Sequence, residues 1–587
     1  MKKLFTIILC LAITLVSCDK DDSSSGNPEP QQHDPNTFSE NFGSEIQRNF
    51  LGKVIDTDRN PIEGVIITIG TKTAMTDANG IFIINDATVN EHFGYVKASK
   101  PGYLHGSRSV VPSAGTNNVT IMMLPETVAG TTTSGTAETI ALPNGASVAL
   151  EGDYQKADGS AYSGSVNVIM HHLDPANEDM QDQMPGMLYA ANAQNEPRML
   201  QTFGMLAVEL RGSGGEELNL AEGSSAEIKV PLDASLMADA PSTIPLWHFD
   251  EQYGYWIEDG VATLVGNAYV GTVTHFSFWN CDVPAEAINL CVNVLDADGN
   301  ALADAWVWIQ SNVYGLRGGD TNETGQVCGF VPSNETLLVY VRSYTICGVE
   351  DLYEANIGPF TEDSSITINI ADNGSYVTQT VFGNFTTCNG DPVNEGYVML
   401  THNFHRFFSS LDDGTFEFNF LSCADNDEFH LYGVDFENLQ ETDSIYYTFT
   451  PPITNVGTIA ACNTVEEFIT YQVDDHPTIT YNFNVQAGTD GDYLVAYYYS
   501  NNQQYFFEFN IANFNSVGAY TNAYIGFQDE NGDSTTLEYV FQGTVNVTSF
   551  GNVGEYIDIN FVGELVPFTN PTEGTPISGT MHVRRDN

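Results

Sequence analysis

Positive charge is what this sequence lacks most. Its 587 residues include 19 lysines and arginines against 76 aspartates and glutamates, which gives a formal net charge of -57 at pH 7. A polyanion repels phosphates and acidic lipid headgroups, and it lacks the basic stripe that nucleic acid requires. The composition therefore excludes nucleic acid as a partner and is typical of an acidic, solvated surface.

Helical periodicity and the common catalytic motifs are also missing. The sequence has no Gly-x-Ser-x-Gly motif, phosphate-binding loop or dinucleotide-binding glycine pattern. It has no Cys-x2-Cys pair of the kind that binds structural zinc. No long stretch repeats its apolar residues with the period of a helix. These absences disfavour an α/β enzyme, although a chain that is 42% hydrophobic is able to form several packed cores.

The N-terminus has the pattern of an export signal. Lys2 and Lys3 precede an apolar stretch, Leu4 to Val16, that is too short to span a membrane as a helix. The stretch ends in Leu15-Val16-Ser17-Cys18, which resembles the lipobox of bacterial lipoproteins. The resemblance implies a signal peptide over residues 1–17 and diacylation of Cys18, which anchors a protein stably because more than one acyl chain is attached. An ordinary secretory signal with an incidental cysteine is the alternative.

The residues after the cysteine predict a destination and a tether. Asp19-Lys20-Asp21-Asp22 resembles the signal that sends lipoproteins of the Bacteroidetes to the outside of the outer membrane. The resemblance implies an outer-membrane lipoprotein facing the cell exterior, with periplasm-facing anchoring as the alternative. The next residues are rich in Ser, Pro, Gln and Asn, so we predict a flexible tether over residues 18–48. Arg584-Arg585 directly follow the last predicted strand, and we expect the lipid alone to provide the anchor.

Short strands separated by turn residues predict an all-β, multidomain chain. The clearest example is Gly52 to Phe82, in which Asn60-Pro61 and Asn79-Gly80 are turn signals between apolar runs. We predict β-sandwiches of the Ig-like or transthyretin-like type over residues 49–125, 286–372 and 376–464. A larger β-rich domain is predicted over residues 126–285 and a C-terminal β domain over residues 470–587.

The three smaller sandwiches are predicted to be copies of one module. The glycines and proline of the first copy recur in the third, where Gly383, Pro392, Gly396 and Gly414 correspond to Gly52, Pro61, Gly64 and Gly80. The pattern resembles the carboxypeptidase regulatory-like domain, a transthyretin-like fold that is common on bacterial surface proteins. Repetition at this spacing predicts beads on a string.

The domain over residues 126–285 resembles the all-β companion domain of bacterial lipoproteins and cartilage intermediate layer proteins. The segments that carry the resemblance are Phe203–Leu210, Trp247–Glu251 and Thr274–Cys281. The resemblance implies no enzymatic activity. A short helix is expected only at Asp233–Asp239.

Seven of the nine cysteines lie between the end of this domain and the end of the third copy. In an exported protein such clustering predicts disulfides rather than a metal site. An odd number leaves one thiol free or paired between chains, and the connectivity stays open, with Cys388–Cys423 as the preferred pair. The disulfide candidates are Cys281, Cys291, Cys328, Cys347, Cys388, Cys423 and Cys462.

Two histidine motifs are candidate metal sites. His248-Phe249-Asp250-Glu251 has the H-x-x-E form with which the zinc site of carboxypeptidases begins, but that enzyme also needs a large helical domain and a distant third ligand. His402 and His405 are three residues apart, so on one strand they would point to opposite faces. We expect His402 and His405 on a loop or strand surface and predict no metal site.

Acidic turns raise the question of calcium. Asp296-Ala297-Asp298-Gly299-Asn300 lacks the later glycine and glutamate of an EF-hand loop, where Ala301 and Val307 stand instead. We therefore interpret it and the pairs Asp56/Asp58, Asp412/Asp413 and Asp490/Asp492 as β-turn formers. We predict no cofactor, with weak calcium binding as an alternative.

Aromatic runs offer a possible ligand surface. Tyr497–Tyr499 and the pair Trp306/Trp308 are able to stack on sugar rings, although packing within the sheets is the favoured expectation. Taken together, the sequence predicts a non-catalytic, lipid-anchored surface protein that serves as an adhesion, structural or binding scaffold with an unknown glycan or protein ligand. The alternatives are a glycan-binding accessory protein for polysaccharide capture and, last, a zinc carboxypeptidase-like enzyme.

Overall fold

The computed structural model describes most of the chain. The described residues are 33–345, 348–371, 376–402, 405–411, 413–423, 428–464, 468–474, 479–481, 485–500, 505–529, 534–535, 539–551, 553, 556–567 and 574–586. They form strands almost throughout, which confirms the predicted all-β, multidomain class. Their two α-helices, α1 (Pro35–Phe38) and α2 (Met180–Gln183), have four residues each. No helix in these ranges has the length and apolar character to cross a membrane.

The first repeat is a sandwich of two antiparallel-rich sheets. One sheet has the order β4-β1-β7, in which β1 and β7 run parallel, and the other has the order β3-β2-β5-β6. Alternate residues of these strands, such as Phe50, Val54 and Ile67, are fully buried between the sheets. The strands are β1 (Glu45–Ile55), β2 (Ile66–Ile69), β3 (Lys72–Met75), β4 (Ile81–Asn90), β5 (Gly94–Ser99), β6 (Gly106–Val110) and β7 (Thr116–Met122).

The segment before β1 is packed, which corrects the predicted extent of the tether. The tether prediction covered residues 18–48, of which 18–32 lie outside the described residues. From His33 onward the chain forms α1 and a 3₁₀ turn, Ser39–Phe42, and it enters β1 at Glu45. Phe38 is 0% exposed and Phe42 8% exposed. The segment is polar on average, which is why its composition predicts a tether. The burial of these two aromatic side chains holds the segment against the folded domains.

The middle domain is built on one 13-stranded sheet that folds around a large apolar core. The predicted helix at Asp233–Asp239 is wrong, because residues 234–239 form successive turns, and the helix of this domain is α2 instead. The strands are β8 (Val128–Thr133), β9 (Glu138–Ala141), β10 (Ser147–Leu150), β11 (Tyr154–Lys156), β12 (Ser165–Leu173), β13 (Tyr189–Ala191), β14 (Pro197–Gly212), β15 (Glu217–Leu220), β16 (Ala226–Pro231), β17 (Thr243–Asp250), β18 (Tyr255–Val265), β19 (Ala268–Val273) and β20 (Phe278–Ala285).

The second and third repeats have the topology of the first. Each has a three-stranded sheet with one parallel pair, β24-β21-β27 and β31-β28-β35, packed on a second sheet. The second repeat contains β21 (Ala287–Leu295), β22 (Ala305–Ser311), β23 (Gly315–Asp320), β24 (Gln326–Pro332), β25 (Leu337–Thr345), β26 (Gly348–Ile357) and β27 (Ser364–Asn369). The third contains β28 (Tyr376–Thr387), β29 (Gly396–His402), β30 (His405–Leu411), β31 (Thr415–Cys423), β32 (Glu428–Asp435), β33 (Gln440–Glu441), β34 (Ile445–Thr448), β35 (Ile453–Ala461) and β36 (Asn463–Thr464).

One glycine position explains part of the repeated sequence pattern. Gly80, Gly325 and Gly414 have φ angles of 71°, 73° and 79°, a region that favours glycine. A Cβ on Gly80 would lie 2.5 Å from the carbonyl oxygen of Val54, and a Cβ on Gly325 would lie 2.5 Å from that of Val294. The turn therefore requires glycine both for its backbone angle and for the close approach of a neighbouring strand.

The repeats contact one another directly, which differs from the predicted beads on a string. The Tyr397 hydroxyl of the third repeat donates a hydrogen bond to Asp77 Oδ2 of the first at 2.7 Å. The backbone N–H of Thr116 in the first repeat donates to Glu323 Oε1 of the second at 2.7 Å. The Asn419 amide of the third donates to the carbonyl oxygen of Ala301 in the second at 2.6 Å. Each repeat therefore touches the other two.

The middle domain joins the same body. Ser109 of the first repeat donates a hydrogen bond to the carbonyl oxygen of Gly254 at 2.7 Å. The Arg317 guanidinium of the second repeat donates a hydrogen bond to the carbonyl oxygen of Leu200. Phe38, Phe93, Tyr189 and Tyr255 form one aromatic cluster where the N-terminal segment, the first repeat and the middle domain meet. The second repeat extends this cluster, because its Phe330 ring stacks on Tyr189 with a centroid distance of 4.4 Å.

The C-terminal domain is a sandwich of a six-stranded and a four-stranded sheet, ordered β38-β37-β46-β45-β44-β42 and β39-β40-β41-β43. Its core forms one cluster, and no apolar cluster of the described chain mixes it with residues before 465. The strands are β37 (Phe468–Val473), β38 (Ile479–Tyr481), β39 (Val485–Asp490), β40 (Tyr493–Tyr499), β41 (Phe506–Ala512), β42 (Gly518–Tyr520), β43 (Ala523–Gln528), β44 (Tyr539–Phe550), β45 (Tyr556–Pro567) and β46 (Thr575–Arg584).

Candidate ligand-binding faces

The tyrosine run on β40 divides between core and surface. Tyr498 is 4% exposed and belongs to the core of the C-terminal domain, whereas Tyr493 and Tyr499 are 48% and 41% exposed. Alternate residues of a strand share a face, so Tyr497 points outward with them. Tyr498 therefore packs in the core, as expected, whereas Tyr497 and Tyr499 pack on the outer face of the sheet.

A carboxylate lies among these outward rings. Glu508 on β41 pairs across the strand with Tyr497, and Phe506 pairs with Tyr499, so all four side chains share the outer face. The Tyr499 hydroxyl donates a hydrogen bond to Glu508 Oε1. This hydrogen bond, together with partial burial, raises the pKa of Tyr499 to about 12. Tyr499 is therefore a neutral hydrogen-bond donor at neutral pH.

The rings form an open aromatic surface. The Tyr497 and Tyr499 centroids are 5.8 Å apart, and Phe506 stacks beside Tyr499 at 6.2 Å with an interplanar angle of 24°. Tyr524 on β43 lies over Gly526, where a Cβ would come within 2.5 Å of its hydroxyl oxygen. We name this surface the tyrosine face. It comprises Tyr493, Tyr497, Tyr499, Phe506, Glu508 and Tyr524.

A second aromatic surface lies on the second repeat. Trp306 and Trp308 alternate with the buried Ala305, Val307 and Ile309 on β22, so both indoles are on the outer side of the sheet. Their ring centroids are 4.3 Å apart.

Their neighbours on β25 add polar groups to this surface. Tyr340 and Arg342 pair with Trp308 and Trp306 across the strand. The Arg342 guanidinium carbon is 5.8 Å from the Tyr340 ring centroid, and the Tyr340 hydroxyl donates to Gln310 Oε1 at 3.3 Å. We name this surface the tryptophan face. It comprises Trp306, Trp308, Gln310, Tyr340 and Arg342.

The His248 motif does not have the arrangement of a zinc site. His248 lies on β17, and its ring contacts His275 at a centroid distance of 4.6 Å. Burial lowers the pKa of His248 to about 3, with the neighbouring His275 as a smaller cause. Glu251 follows the end of the strand in a turn. Within the described ranges, no group of three or more His, Cys, Asp or Glu side chains is placed to hold a metal ion.

The second histidine pair lies on a hairpin rather than on one strand. His402 ends β29 and His405 begins β30, so the two residues are directly opposite each other across the strands. His402 is 7% exposed, and its Nδ1 lies 2.9 Å from the carbonyl oxygen of Glu428. The expected surface position is therefore wrong for His402, because the hairpin folds its ring inward.

In the acidic turns at Asp56 and Asp296, the carboxylate accepts hydrogen bonds from backbone N–H groups of the same turn. Asp56 Oδ1 accepts the backbone N–H groups of Asp58 at 2.9 Å and Asn60 at 2.8 Å. Asp296 makes the same two contacts, with Asp298 at 3.0 Å and Asn300 at 2.8 Å. These hydrogen bonds are typical of Asx turns. Asp412 lies outside the described residues, and calcium binding stays an untested alternative.

The structure shows two disulfides among the described residues, and neither is the preferred pair. Cys291 is bonded to Cys328 and Cys388 to Cys462, so the preferred Cys388–Cys423 pair is wrong. Tyr376 pairs with Cys423 at one end of β28, whereas Cys388 follows the other end. Cys388 and Cys462 are neighbours because Thr387 and Ala461, which precede them, pair in parallel.

The remaining cysteines have different outcomes. Cys281 is not a disulfide partner: it is a free thiol in the core of the middle domain, where burial raises its pKa well above the usual value. Cys347 and the side chain of Cys423 lie outside the described residues. Cys18 does so too, and its acylation stays a prediction.

Glu508 and Tyr524 were missed by the sequence reasoning, although a signal was present. In the run Tyr505–Phe509 the period of two places Phe506 and Glu508 on one face and Phe507 and Phe509 on the other. The partnership with Tyr524 depends on strand pairing and has no local signal.

Comparison with known proteins gives partial similarities. No family model matches the sequence. Cartilage intermediate layer protein 2 of mouse is 31% identical over 110 residues, which cover 19% of this chain and 9% of that protein. The human protein is 30% identical over 117 residues, 20% of this chain and 10% of its own length. The chain thus spans about a tenth of the length of these curated relatives.

Solved structures align with low scores. GBS52, a minor pilin of Streptococcus agalactiae, has 8% identity and a TM-score of 0.14, and the alignment covers 30% of this chain and 98% of that one. A DUF3823 family protein of Bacteroides ovatus has 14% identity and a TM-score of 0.12, with 35% of this chain and 98% of that one covered.

Proposed function

We propose that this protein is a non-catalytic, lipid-anchored scaffold on the cell surface that holds its modules in a fixed arrangement. The observation that carries the proposal is the interlocking of the three repeats and the middle domain. Tyr397 and Asp77 join the first and third repeats, and Phe38 anchors the N-terminal segment in the aromatic cluster. A fixed body that begins at His33, 15 positions after the predicted acylation site, suits a surface scaffold.

The module types support a structural role. The middle domain and each repeat have an apolar core of their own, so each module is able to serve as a rigid building block. The short similarity to cartilage intermediate layer protein 2 is consistent with such a role. Outer-membrane attachment through Cys18 and exposure to the exterior follow from the resemblance of the N-terminus to surface lipoproteins and are part of the proposal.

Protease treatment of intact cells tests the proposal. Wild-type protein is expected in the membrane fraction and is expected to be degraded by protease added outside, because the acylated Cys18 anchors it on the outer face. The Cys18→Ala variant is expected to lose membrane attachment, and Ser17→Ala is a control that retains the cysteine and a small residue before it. Wild-type protein that is protected until the cells are broken would place it in the periplasm and contradict surface exposure.

Glycan capture is a second candidate function, favoured by the outward position of Tyr497 and Tyr499. Carbohydrate rings present C–H faces that stack on aromatic rings, and exposed aromatic side chains on an open sheet are suited to this contact. Retention of the protein on immobilised polysaccharides tests this function, and no retention on any of them would contradict it.

A further inference from the structure

We propose that the tyrosine face binds the chain of a neutral polysaccharide. This inference rests on glycan capture, the second candidate function, and it specifies which face binds and which class of glycan is bound. Its basis is the combination of adjacent outward aromatic rings, a carboxylate among them and the absence of positive charge.

The spacing of the rings suits stacking against the successive sugar units of a polysaccharide. Tyr497, Tyr499 and Phe506 succeed one another at centroid distances of 5.8 and 6.2 Å across two paired strands. Successive rings of this kind contact successive sugar units of an extended chain through their C–H faces. Gly526 lies on the same face of β43, where the Tyr524 side chain covers it and adds a further ring to the surface.

Glu508 supplies the polar contact that orients a sugar. Its Oε1 accepts the hydroxyl of Tyr499, and no donor among the described residues reaches its Oε2. A carboxylate oxygen with free lone pairs accepts hydrogen bonds from sugar hydroxyls, and charge-assisted hydrogen bonds are stronger than neutral ones. The Tyr497 hydroxyl donates a hydrogen bond to Gln486 Oε1 at 2.6 Å, so the Gln486 side-chain amide lies beside the rings.

The charge of the surrounding chain selects for neutral glycans. Between Arg406 and Arg584 the sequence has no lysine or arginine. Uronic acid or sulfated chains would therefore be repelled by Glu508 and by the net charge of the protein. Arg585 pairs with Ala487 of β39, but its guanidinium is over the Phe550 ring and donates to the carbonyl oxygen of Gly551. The tryptophan face differs in this respect because Arg342 lies beside Tyr340.

The C-terminal domain is suited to presenting this surface. Its core cluster contains only residues between Ile469 and Val583, while the other domains form the interlocked body. It is also the domain that lies farthest along the chain from the predicted acylation site.

Affinity electrophoresis of the full chain tests the inference. The protein is run in gels that contain neutral polysaccharides (β-glucan, α-glucan, mannan, xylan) or anionic ones (alginate, pectin, heparin). We expect retardation by at least one neutral polysaccharide and by none of the anionic ones. Exchanging Tyr499 or Tyr497 for Ala is expected to weaken binding about tenfold, as loss of one ring from a stacking surface does. Glu508→Gln, which retains the size but loses the charge, is expected to weaken it several-fold.

Control variants separate binding from folding. Tyr499→Phe retains the ring and is expected to retain most of the binding, whereas Tyr446→Ala removes a 74% exposed tyrosine of the third repeat and is expected to change nothing. Equal thermal unfolding of all variants shows that they are folded.

Other outcomes overturn the inference in distinguishable ways. Neutral glycan binding that survives Tyr497→Ala and Tyr499→Ala but is lost in Trp308→Ala would assign glycan capture to the tryptophan face. Binding of anionic chains alone would reject the neutral class, and no binding of any polysaccharide would reject glycan capture as well. A dimer that Tyr499→Ala abolishes, detected by light scattering, would make the face a contact between two copies.

Discussion

Tyr397 and Asp77 are 320 residues apart in the chain, and the Tyr397 hydroxyl donates a hydrogen bond to Asp77 Oδ2 at 2.7 Å. The other oxygen of Asp77 accepts the backbone N–H groups of Asn79 and Ile81 at 2.9 and 2.8 Å. The carboxylate that shapes a turn of the first repeat thus also holds the third repeat. Burial raises the pKa of Asp77, and these hydrogen bonds oppose the rise because they stabilise the carboxylate.

Removing the Tyr397 hydroxyl is expected to loosen the contact between the two repeats. Tyr397→Phe preserves the packing of the ring with Leu51 and Met399 but leaves a partly buried carboxylate oxygen without its donor, which costs about 1–3 kcal/mol. Hydrogen–deuterium exchange is expected to rise in β4 and β29 and to stay unchanged in the C-terminal domain. Tyr446→Phe is the matched control. Unchanged exchange in both strands would show that the contact does not hold the repeats together.

The Cys388–Cys462 disulfide is expected to stabilise the third repeat. Peptide mapping under non-reducing conditions is expected to recover Cys388 with Cys462 and Cys291 with Cys328. Exchanging both Cys388 and Cys462 for serine opens a loop of 74 residues, and it is expected to lower the stability of that repeat by about 2–4 kcal/mol, measured by urea unfolding. Cys281 is expected to react with an alkylating reagent only after unfolding, because it is buried. A peptide that joins Cys388 to Cys423 would contradict the structure.

Local pattern sufficed for the class of fold and for the turns of the repeats. Asn79-Gly80 predicted a turn, and the structure places Gly80 at a φ angle that favours glycine. The period of two in the sequence also separates Tyr498 from Tyr497 and Tyr499. It does not say which set faces the core, because that depends on how the second sheet packs.

Contacts between distant segments had no local signal. The Cys388–Cys462 pair depends on the parallel pairing of β28 and β35, and strands so far apart in sequence give no indication of their partner. The burial of His402 depends on the pairing of β29 with β30 and β32, which has no local signal either. Phe38 was assigned to a tether because the average composition of its segment is polar, although one buried ring is enough to fix a short segment.

Asp282 is expected to make stability depend on pH. It is 0% exposed, its Oδ1 has no hydrogen-bond partner among the described residues, and burial raises its pKa well above the usual value. A raised carboxyl pKa contributes stability that is complete below the unfolded pKa, about 3.9, and is lost as the pH rises through the folded pKa. Asp282→Asn removes this titration. Relative to the wild type, the variant is therefore expected to gain up to about 1.4 kcal/mol of stability for each pH unit between about pH 4 and the folded pKa of Asp282, and no more above it.

Thermal unfolding of both proteins over a series of pH values measures this difference. Exposed Asp298→Asn is the control and is expected to follow the wild type. A constant difference between Asp282→Asn and wild type at all pH values would contradict the titration, because the same proton would then be bound in the folded and unfolded states.

Phe38 is expected to be the main contact that holds residues 33–44 against the first repeat and the middle domain. Its ring contacts Phe42, Tyr189 and Tyr255 at centroid distances of 5.7, 5.7 and 4.5 Å, so Phe38→Ala opens a cavity and is expected to cost about 3–5 kcal/mol. Phe42, which stacks on Phe93 at 4.2 Å, is then the buried aromatic residue that remains in the segment. We expect residues 33–44 to loosen, with faster hydrogen exchange and new protease cleavage there, while the cores of the repeats stay protected. Asp34→Ala removes only the cap of α1 and is expected to cost less stability than Phe38→Ala. If Phe38→Ala changed exchange no more than Asp34→Ala does, the segment would be held by its backbone contacts to Glu91 and His92, and the tether would still end before His33.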